Sequence, residues 1–403
     1  MRLEGRVVLR SYDVCIIGAG PSGLSTAIAS SKLGVETAVF EEHREVGASS
    51  AECGGLVSVR CLELLKLNID GDYVANKVYK AVIHSPDGKS LTTSLGPRGA
   101  LILDRRSFEE TLASRALHAG VDLYTGVRVK RIRMGRDRVE LDVDGGTYRC
   151  RAVVDAGGAL SRFTLENLGF NLRLKRLIPA AQAEVEVDYE DDSSVHVFLG
   201  RKVAPGFFGW LIPLGSGKAR VGAACENGDP RMFLKRLLDR VGASKVYDEA
   251  TRFILTGGPL PRTFGHRFLS VGDAAGQSKP TTGGGIFTGT LCGLLAGLTL
   301  AKATKTGSYS THTLSMYEES WRNLLGREFK VQLFYRRIFR RLRDEALNSI
   351  VSTLSDRRVG GLRDFDFHSK TLNRLVLDIG LSCIKPSILR SLLKSLIPGL
   401  LGL

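Results

Sequence analysis

The chain is poor in side-chain amides: among 403 residues, glutamine occurs three times and asparagine eight. Such scarcity suits a hot source, because amides are thermolabile. Cysteine is sparse as well, with seven scattered residues and no Cys-x-x-Cys pair. That excludes a disulfide scaffold and argues against a zinc ribbon or iron–sulfur centre, so no metal is expected. No stretch offers the ~18 consecutive apolar residues of a membrane span, and Met1 to Arg10 is too charged for a secretory leader. The expected location is cytoplasmic, in solution or peripheral at a membrane. Acidic residues are in deficit, 42 against 57 Lys+Arg, for a net charge of +15. This fits nucleic acid, anionic lipid or an acidic substrate, and charge alone does not choose among them. What is plentiful is glycine, at 46 residues, alongside 43% hydrophobic residues. The composition excludes wholesale disorder, and the length accommodates two or three domains.

The first organised segment is Val14-Cys15-Ile16-Ile17, an apolar run suited to a buried parallel strand. Gly18-Ala19-Gly20-Pro21-Ser22-Gly23 follows directly, then a helical stretch to Leu33 stopped by Gly34, then a second strand, Thr37 to Phe40, ending on Glu41. In such a βαβ unit Gly18 permits the tight turn, Gly20 lets backbone approach a pyrophosphate, and Gly23 lets helix and strand pack closely. Glu41 stands where ribose hydroxyls would be bound, and its charge repels a 2′-phosphate.

A late counterpart selects FAD over NAD. Phe268 to Val271 reads as a strand leading into Gly272-Asp273-Ala274-Ala275-Gly276, and Thr281 to Ile286 then opens a helix running to Ala301. In two-dinucleotide flavoproteins an Asp at such a turn bonds the ribityl chain, and the helix N-terminus at Gly285 and Ile286 faces the flavin; the plainer alternative is that Asp273 caps a helix. Between the two motifs, alternating strands at 139–154 and 180–225 predict antiparallel sheet. The expected class is α/β (α+β overall), a two-dinucleotide-binding-type FAD fold with a Rossmann-like βαβ unit. Residues 1–75, 98–165 and 263–305 would form the FAD domain, 76–97 and 166–262 an antiparallel-sheet substrate domain, and 306–403 a helical basic region.

These residues together resemble the geranylgeranyl reductase family of FAD-dependent oxidoreductases, particularly its archaeal members acting on digeranylgeranylglycerophospholipids. Two further stretches carry the resemblance: Glu52-Cys53-Gly54-Gly55-Leu56-Val57-Ser58, similar to the family's Cys-Gly segment beside the flavin, and Phe208-Gly209-Trp210-Leu211-Ile212-Pro213, similar to its Tyr-x-Trp-x-Phe-Pro motif. The second departs from the pattern, with Phe208 for Tyr and Ile212 for the second aromatic. The resemblance implies FAD contacts at Ala19, Glu41, Cys53, Gly54, Gly55, Arg105, Val129, Asp273, Gly285 and Ile286, and an isoprenoid tunnel lined by Phe208, Trp210 and Pro213. It further implies an isoprenoid lipid substrate and an electron donor, either ferredoxin or a nicotinamide nucleotide.

The implied reaction saturates isolated double bonds of a geranylgeranyl chain. Cys53 is the candidate for a proton or redox role, with plain packing against the flavin as the alternative. Phe208 and Trp210 likewise could be ordinary core aromatics. Competing readings are a flavin hydroxylase or quinone-linked dehydrogenase of the same fold, and a membrane-associated protein in which FAD is structural. Asp155-Ala156-Gly157-Gly158 stands where hydroxylases carry Asp-Gly, which weakens the first. Arg322 to Arg343 interleaves seven further arginines and lysines with Phe329, Leu333, Phe334, Ile338, Phe339 and Leu342. This pattern fits a helix on an anionic membrane surface or a packed helix with a solvated basic side. No nucleic-acid-binding module accompanies it, so nucleic acid is not an expected partner. Leu396 to Leu403 is expected to dip into an interface or close the tunnel.

Overall fold

A computed structural model describes residues 8–48, 53–171, 176–189, 191–355 and 365–367. Its largest sheet has eight strands, with a parallel centre in the order Phe268–Ser270, Gly146–Asp155, Val8–Ile17, Thr37–Glu41, Asp122–Thr125. Val14, Cys15 and Ile16 are wholly buried, as a strand covered on both faces must be. Alternation along the strand sends Val14 and Ile16 to a core with Leu24, Phe108, Leu112 and Trp321, while Cys15 and Ile17 join Tyr12, Phe40, Leu141 and Tyr148 on the other side. Helices Pro21–Ser31, Arg105–His118 and Ile286–Thr306 supply the first core.

Helix Ile286–Thr306 carries Gly289, Gly293 and Gly297 at four-residue spacing, one stripe along the helix. A Cβ on Gly297 would stand 2.5 Å from Ala29 Cβ, 2.8 Å from the Thr26 carbonyl oxygen and 2.9 Å from the Ser30 nitrogen. The stripe therefore lays this helix backbone-to-backbone on Pro21–Ser31, a contact the sequence reading did not extract. By length and apolarity this is the one described helix that could cross a membrane, yet it is largely buried within the protein.

A second sheet has seven strands, in the order Lys245–Leu255, Leu177–Glu186, Lys218–Ala224, Gly209–Gly215, Ser194–Phe198, Lys80–His84, Ser90–Ser94. It is antiparallel except where Ser194–Phe198 runs parallel to Lys80–His84, a join between distant segments that alternation alone does not reveal. A third sheet of Leu56–Ser58, Ala100–Leu103 and Val74–Val78 connects the cores. Leu101 and Leu103 face the nucleotide side, whereas Ala100 and Ile102 pack with Val195 and Ile212 of the second sheet.

Beyond Gly307, helix Thr311–Phe339 buries Leu314, Tyr317, Trp321, Leu325 and Phe329 against the first core. Its buried stripe continues through Glu328, Gln332 and Arg336, while Leu324 and Phe334 are exposed. The sequence pattern assigned Arg336 to a solvated or lipid-facing side; the structure turns it inward, because Glu226 offers it a carboxylate there. Helix Asp344–Ser355 follows a short break, and residues 365–367 are not helical. Glu52 and the expected apolar terminus 396–403 lie outside the described residues.

Candidate active site

Gly18 ends the first strand at φ +98°, and a Cβ there would meet the Ala156 carbonyl oxygen at 2.5 Å, so only glycine turns the chain here. Gly20 caps helix Pro21–Ser31 without a side-chain hydrogen bond, and a Cβ at Gly20 would meet nothing within 4 Å. The first-turn N–H groups thus face an open cradle. Glu41 accepts from the Ala19 N–H at 2.9 Å through Oε2, and Oε1 accepts from the His43 N–H at 3.0 Å. Oε1 also lies 2.6 Å from His43 Nδ1, so Oε2 is the oxygen that keeps a further lone pair for a ligand. Val129 is buried in the loop whose Val127 N–H donates to the Glu41 carbonyl at 2.9 Å, so it lies at this same end.

Asp273 lies in a short 3₁₀ turn, Gly272–Ala275. Its Oδ1 would be 2.8 Å from a Cβ on Gly285, the residue that opens helix Ile286–Thr306, again without a side-chain cap. Ser22 joins the two motifs: its Cβ would lie 2.8 Å from a Cβ on Gly272 and 3.6 Å from one on Gly289. Two uncapped helix N-termini, some 260 residues apart in sequence, are held side by side, each presenting partial positive charge.

All six described cysteines are free, and Cys53 alone among them is not fully buried. Its Sγ accepts from the Gly55 N–H at 3.5 Å and lies beside Arg105. Arg105 is largely buried and paired with Glu109. Burial opposes its charge, but Cys53 and Glu109 outweigh that and hold the guanidinium above its ordinary pKa. Among the described residues its Nε has no hydrogen-bond partner. Burial pushes the Cys61 thiol up to about 12, with Asp366 adding to the rise, so Cys61 stays a neutral core thiol.

The strand Gly209–Gly215 carries the aromatic motif. Residues two apart share a face, so Phe208, Trp210 and Ile212 align, and Ile212 Cδ1 would be 2.8 Å from a Cβ on Gly54. Phe207 and Phe208 stack at 4.2 Å, Phe208 meets Trp210 edge-on at 6.2 Å, and Trp210 Nε1 donates to Gln182 Oε1 at 2.9 Å. Pro213 is buried beyond them on the same strand. Arg220 ties the Cys53 loop to this sheet: its Nη1 donates to the Gly54 carbonyl at 3.5 Å and to the Leu103 carbonyl at 3.0 Å, and its Nε to Glu184 at 2.8 Å.

The FAD binding domain family matches residues 11–324. Digeranylgeranylglycerophospholipid reductase 2 of Methanopyrus kandleri is 31% identical over 85% of this chain and 90% of its own length. The digeranylgeranylglycerophospholipid reductase of Methanocaldococcus jannaschii is 30% identical over 86% and 91%. The chain belongs to this family of FAD-binding reductases. A geranylgeranyl bacteriochlorophyll reductase-like protein from Thermoplasma acidophilum shares the fold, with a TM-score of 0.83 at 22% identity over 96% of this chain and all of that one. So does p-nitrophenol 4-monooxygenase from Pseudomonas putida, with a TM-score of 0.68 at 17% identity over 94% and 99%. The fold alone therefore does not separate reductase from hydroxylase.

FAD is the cofactor of this reductase-family chain, and the residues present fit it. The open cradle at Gly20 admits a pyrophosphate, both helix N-termini lack caps, and the orphaned Arg105 Nε is a buried donor in want of an acceptor. Sequence reasoning missed a buried polar group beside the late motif. Lys279, on the glycine loop, lies 3.7 Å from Asp366, which also accepts from the Ser58 hydroxyl. Phe365 and Phe367, either side of Asp366, pack toward the seven-stranded sheet and the core of the largest sheet respectively. Only folding brings these three segments together, and a lone Lys or Asp carries no sequence signal.

Proposed function

We infer that this protein saturates the carbon–carbon double bonds of a geranylgeranyl chain in an archaeal-type ether phospholipid or in geranylgeranyl diphosphate. What carries the reading is the free, half-buried Cys53 beside Arg105, adjacent in the chain to Gly54, on which Ile212 of the aromatic strand closes, in a chain whose relatives bear the name digeranylgeranylglycerophospholipid reductase. Bound and reduced, FAD supplies the hydride equivalent. The remaining work falls to the chain. An isolated alkene has no electron-withdrawing group, so charge developing on it is cationic, and the electron-rich faces of Phe208 and Trp210 stabilise it. Cys53 Sγ holds the proton for the second carbon, and Arg105 keeps the thiol's surroundings polar and ordered. Gly18, Gly20, Gly23 and Glu41 hold the adenosine diphosphate half, and Asp273, Gly285 and Ile286 the flavin half.

The division into a FAD domain, a substrate domain over the seven-stranded sheet and a basic C-terminal region belongs to the same reading. So does peripheral attachment to an anionic, cytoplasm-facing membrane: Leu324, Arg327, Lys330 and Phe334 are exposed at helical spacing along Thr311–Phe339. Ferredoxin or a nicotinamide nucleotide delivers the electrons. The test is anaerobic spectroscopy of the reduced holoenzyme. Reoxidation of the flavin on adding a geranylgeranyl phospholipid, with a saturated product by mass spectrometry, is the expected result. Reoxidation by oxygen alone with a hydroxylated product sinks the reading.

A further inference from the structure

At the far end of helix Thr311–Phe339, Arg337, Arg340 and Arg341 line a cavity of about 430 Å³ with Arg176 and Glu226. Glu226 is already engaged: Arg336 Nη2 donates to it at 2.8 Å, and Arg340 pairs with it. Arg336 is more than nine-tenths buried, its Nη1 donates to the Gly206 carbonyl at 2.6 Å, and among the described residues its Nε has no hydrogen-bond partner. Five arginines thus converge on one carboxylate, and Arg176, Arg337 and Arg341 form no ion pair among the described residues. Burial holds Arg336 down to about 10, against the pull of Glu226, so the group is still charged at neutral pH. Such a cluster of guanidinium forks is suited to receive an anion, which it would bind through charge-assisted, bidentate hydrogen bonds.

The cavity has an apolar neighbour. The Arg336 guanidinium lies over the Phe207 ring at 4.8 Å, and Phe207 stacks on Phe208, the first residue of the Phe208–Trp210–Ile212 face. About two turns back along the helix, Thr281 of the flavin loop donates to Gln332 at 2.9 Å. Gln332 and Arg340 are eight residues apart, about 12 Å along the axis. An elongated ligand with an anionic head and an apolar tail would place its head among the arginines and run its tail over the aromatics toward the loop.

We propose that the Arg176, Arg337, Arg340 and Arg341 cavity, braced by Arg336 and Glu226, binds the phosphate-bearing head of the isoprenoid substrate. This rests on the reductase reading above for its tail and stands on its own for its head. The shared chemistry is a phosphate or diphosphate ester, whether from a membrane phospholipid or from a soluble prenyl diphosphate.

The test uses the holoenzyme. Calorimetry with inorganic diphosphate should show saturable binding, weakened about tenfold or more in an Arg337→Gln/Arg341→Gln variant. Diphosphate should also raise KM, not lower kcat, for reduction of a geranylgeranyl phospholipid in detergent and of geranylgeranyl diphosphate. A KM effect on both substrates assigns the site to the shared head group, and an effect on one alone assigns it to that source. No binding of inorganic diphosphate overturns the proposal whatever the enzyme reduces. Binding without competition overturns it too. Loss of binding to phosphatidylglycerol vesicles in the variant, with KM for soluble geranylgeranyl diphosphate unmoved, makes the arginines a membrane contact and overturns it as well. Diphosphate binding to a holoenzyme that reduces no geranylgeranyl compound supports the anion site and refutes the reductase reading instead.

Discussion

Gly297→Ala probes how the two nucleotide motifs are held together. The added methyl would stand 2.5 Å from Ala29 Cβ, and its other close neighbours are backbone atoms of Thr26 and Ser30, which no rotamer change can move aside. Bringing the Ala29 contact out to an ordinary 3.4 Å parts helices Ile286–Thr306 and Pro21–Ser31 by roughly 0.9 Å. Overpacking of this kind costs about 1–3 kcal/mol, here toward the upper end, while the Gly-to-Ala gain in helix propensity returns about 1 kcal/mol. The net is a loss of about 2 kcal/mol, and because the same helices carry the amides that face FAD, cofactor occupancy should fall with it. Gly326 provides the control: it sits within helix Thr311–Phe339 and its Cβ would meet only Arg322 Cβ at an ordinary 3.6 Å. Gly326→Ala should therefore stabilise, by up to about 1 kcal/mol. Urea midpoints of both variants, with the flavin-to-protein absorbance ratio after desalting, decide the matter. If Gly297→Ala is as stable as the parent and retains its flavin, the backbone-to-backbone account of this contact is wrong.

Cys53→Ala should leave FAD bound, since Sγ makes no more than a long hydrogen bond from the Gly55 N–H and a contact with Arg105, which pairs with Glu109 anyway, while turnover falls about a hundredfold or more, the usual worth of a positioned proton donor; full turnover removes Cys53 from the chemistry. His84 and His196 share a hydrogen bond of 2.9 Å, and burial, then the neighbouring ring, pushes His84 from 6.5 down to about 4. The stability of the neutral pair is present above the unfolded value, erodes as pH falls from 6.5 toward 4, and is lost below. After discounting for partial exposure this amounts to about 1–2 kcal/mol. His84→Phe, which keeps the stack on Phe198, should flatten the acid limb of a stability–pH curve, and an unchanged limb would contradict the assignment. Glu226→Gln leaves Arg336 charged and buried without its carboxylate and should cost about 3 kcal/mol by urea unfolding; a neutral effect would mean that Arg336 swings to solvent.

Much of the nucleotide half was legible because glycine turns after buried strands have few physical uses. Gly18 needs its positive φ, and Gly20 needs its empty Cβ position, and both needs show in the motif. The four-residue glycine spacing in helix Ile286–Thr306 was also present to be read, but a glycine in an apolar helix does not say which partner it approaches. Arg220, Arg336 and Lys279 were harder. Charged residues pattern as surface, and their burial depends on partners at Glu184, Glu226 and Asp366 that the chain brings close only by folding. The basic stretch Arg322–Arg343 mixed two roles for that reason.

By itself the sequence determined the local chemistry: strand–glycine–helix turns that cradle a dinucleotide, an acidic residue that disfavours a 2′-phosphate, one Cys-Gly-Gly loop and one aromatic strand. These depend on backbone conformation and residue type over a few positions, which neighbours in the chain specify. The tertiary structure decided what faces what. It set Ser22 between Gly272 and Gly289, laid Ile212 over Gly54, and gathered four exposed arginines and one buried one around Glu226. Those juxtapositions join segments up to some 270 residues apart, and they follow from packing two sheets and a long helix about shared cores, which no local pattern encodes.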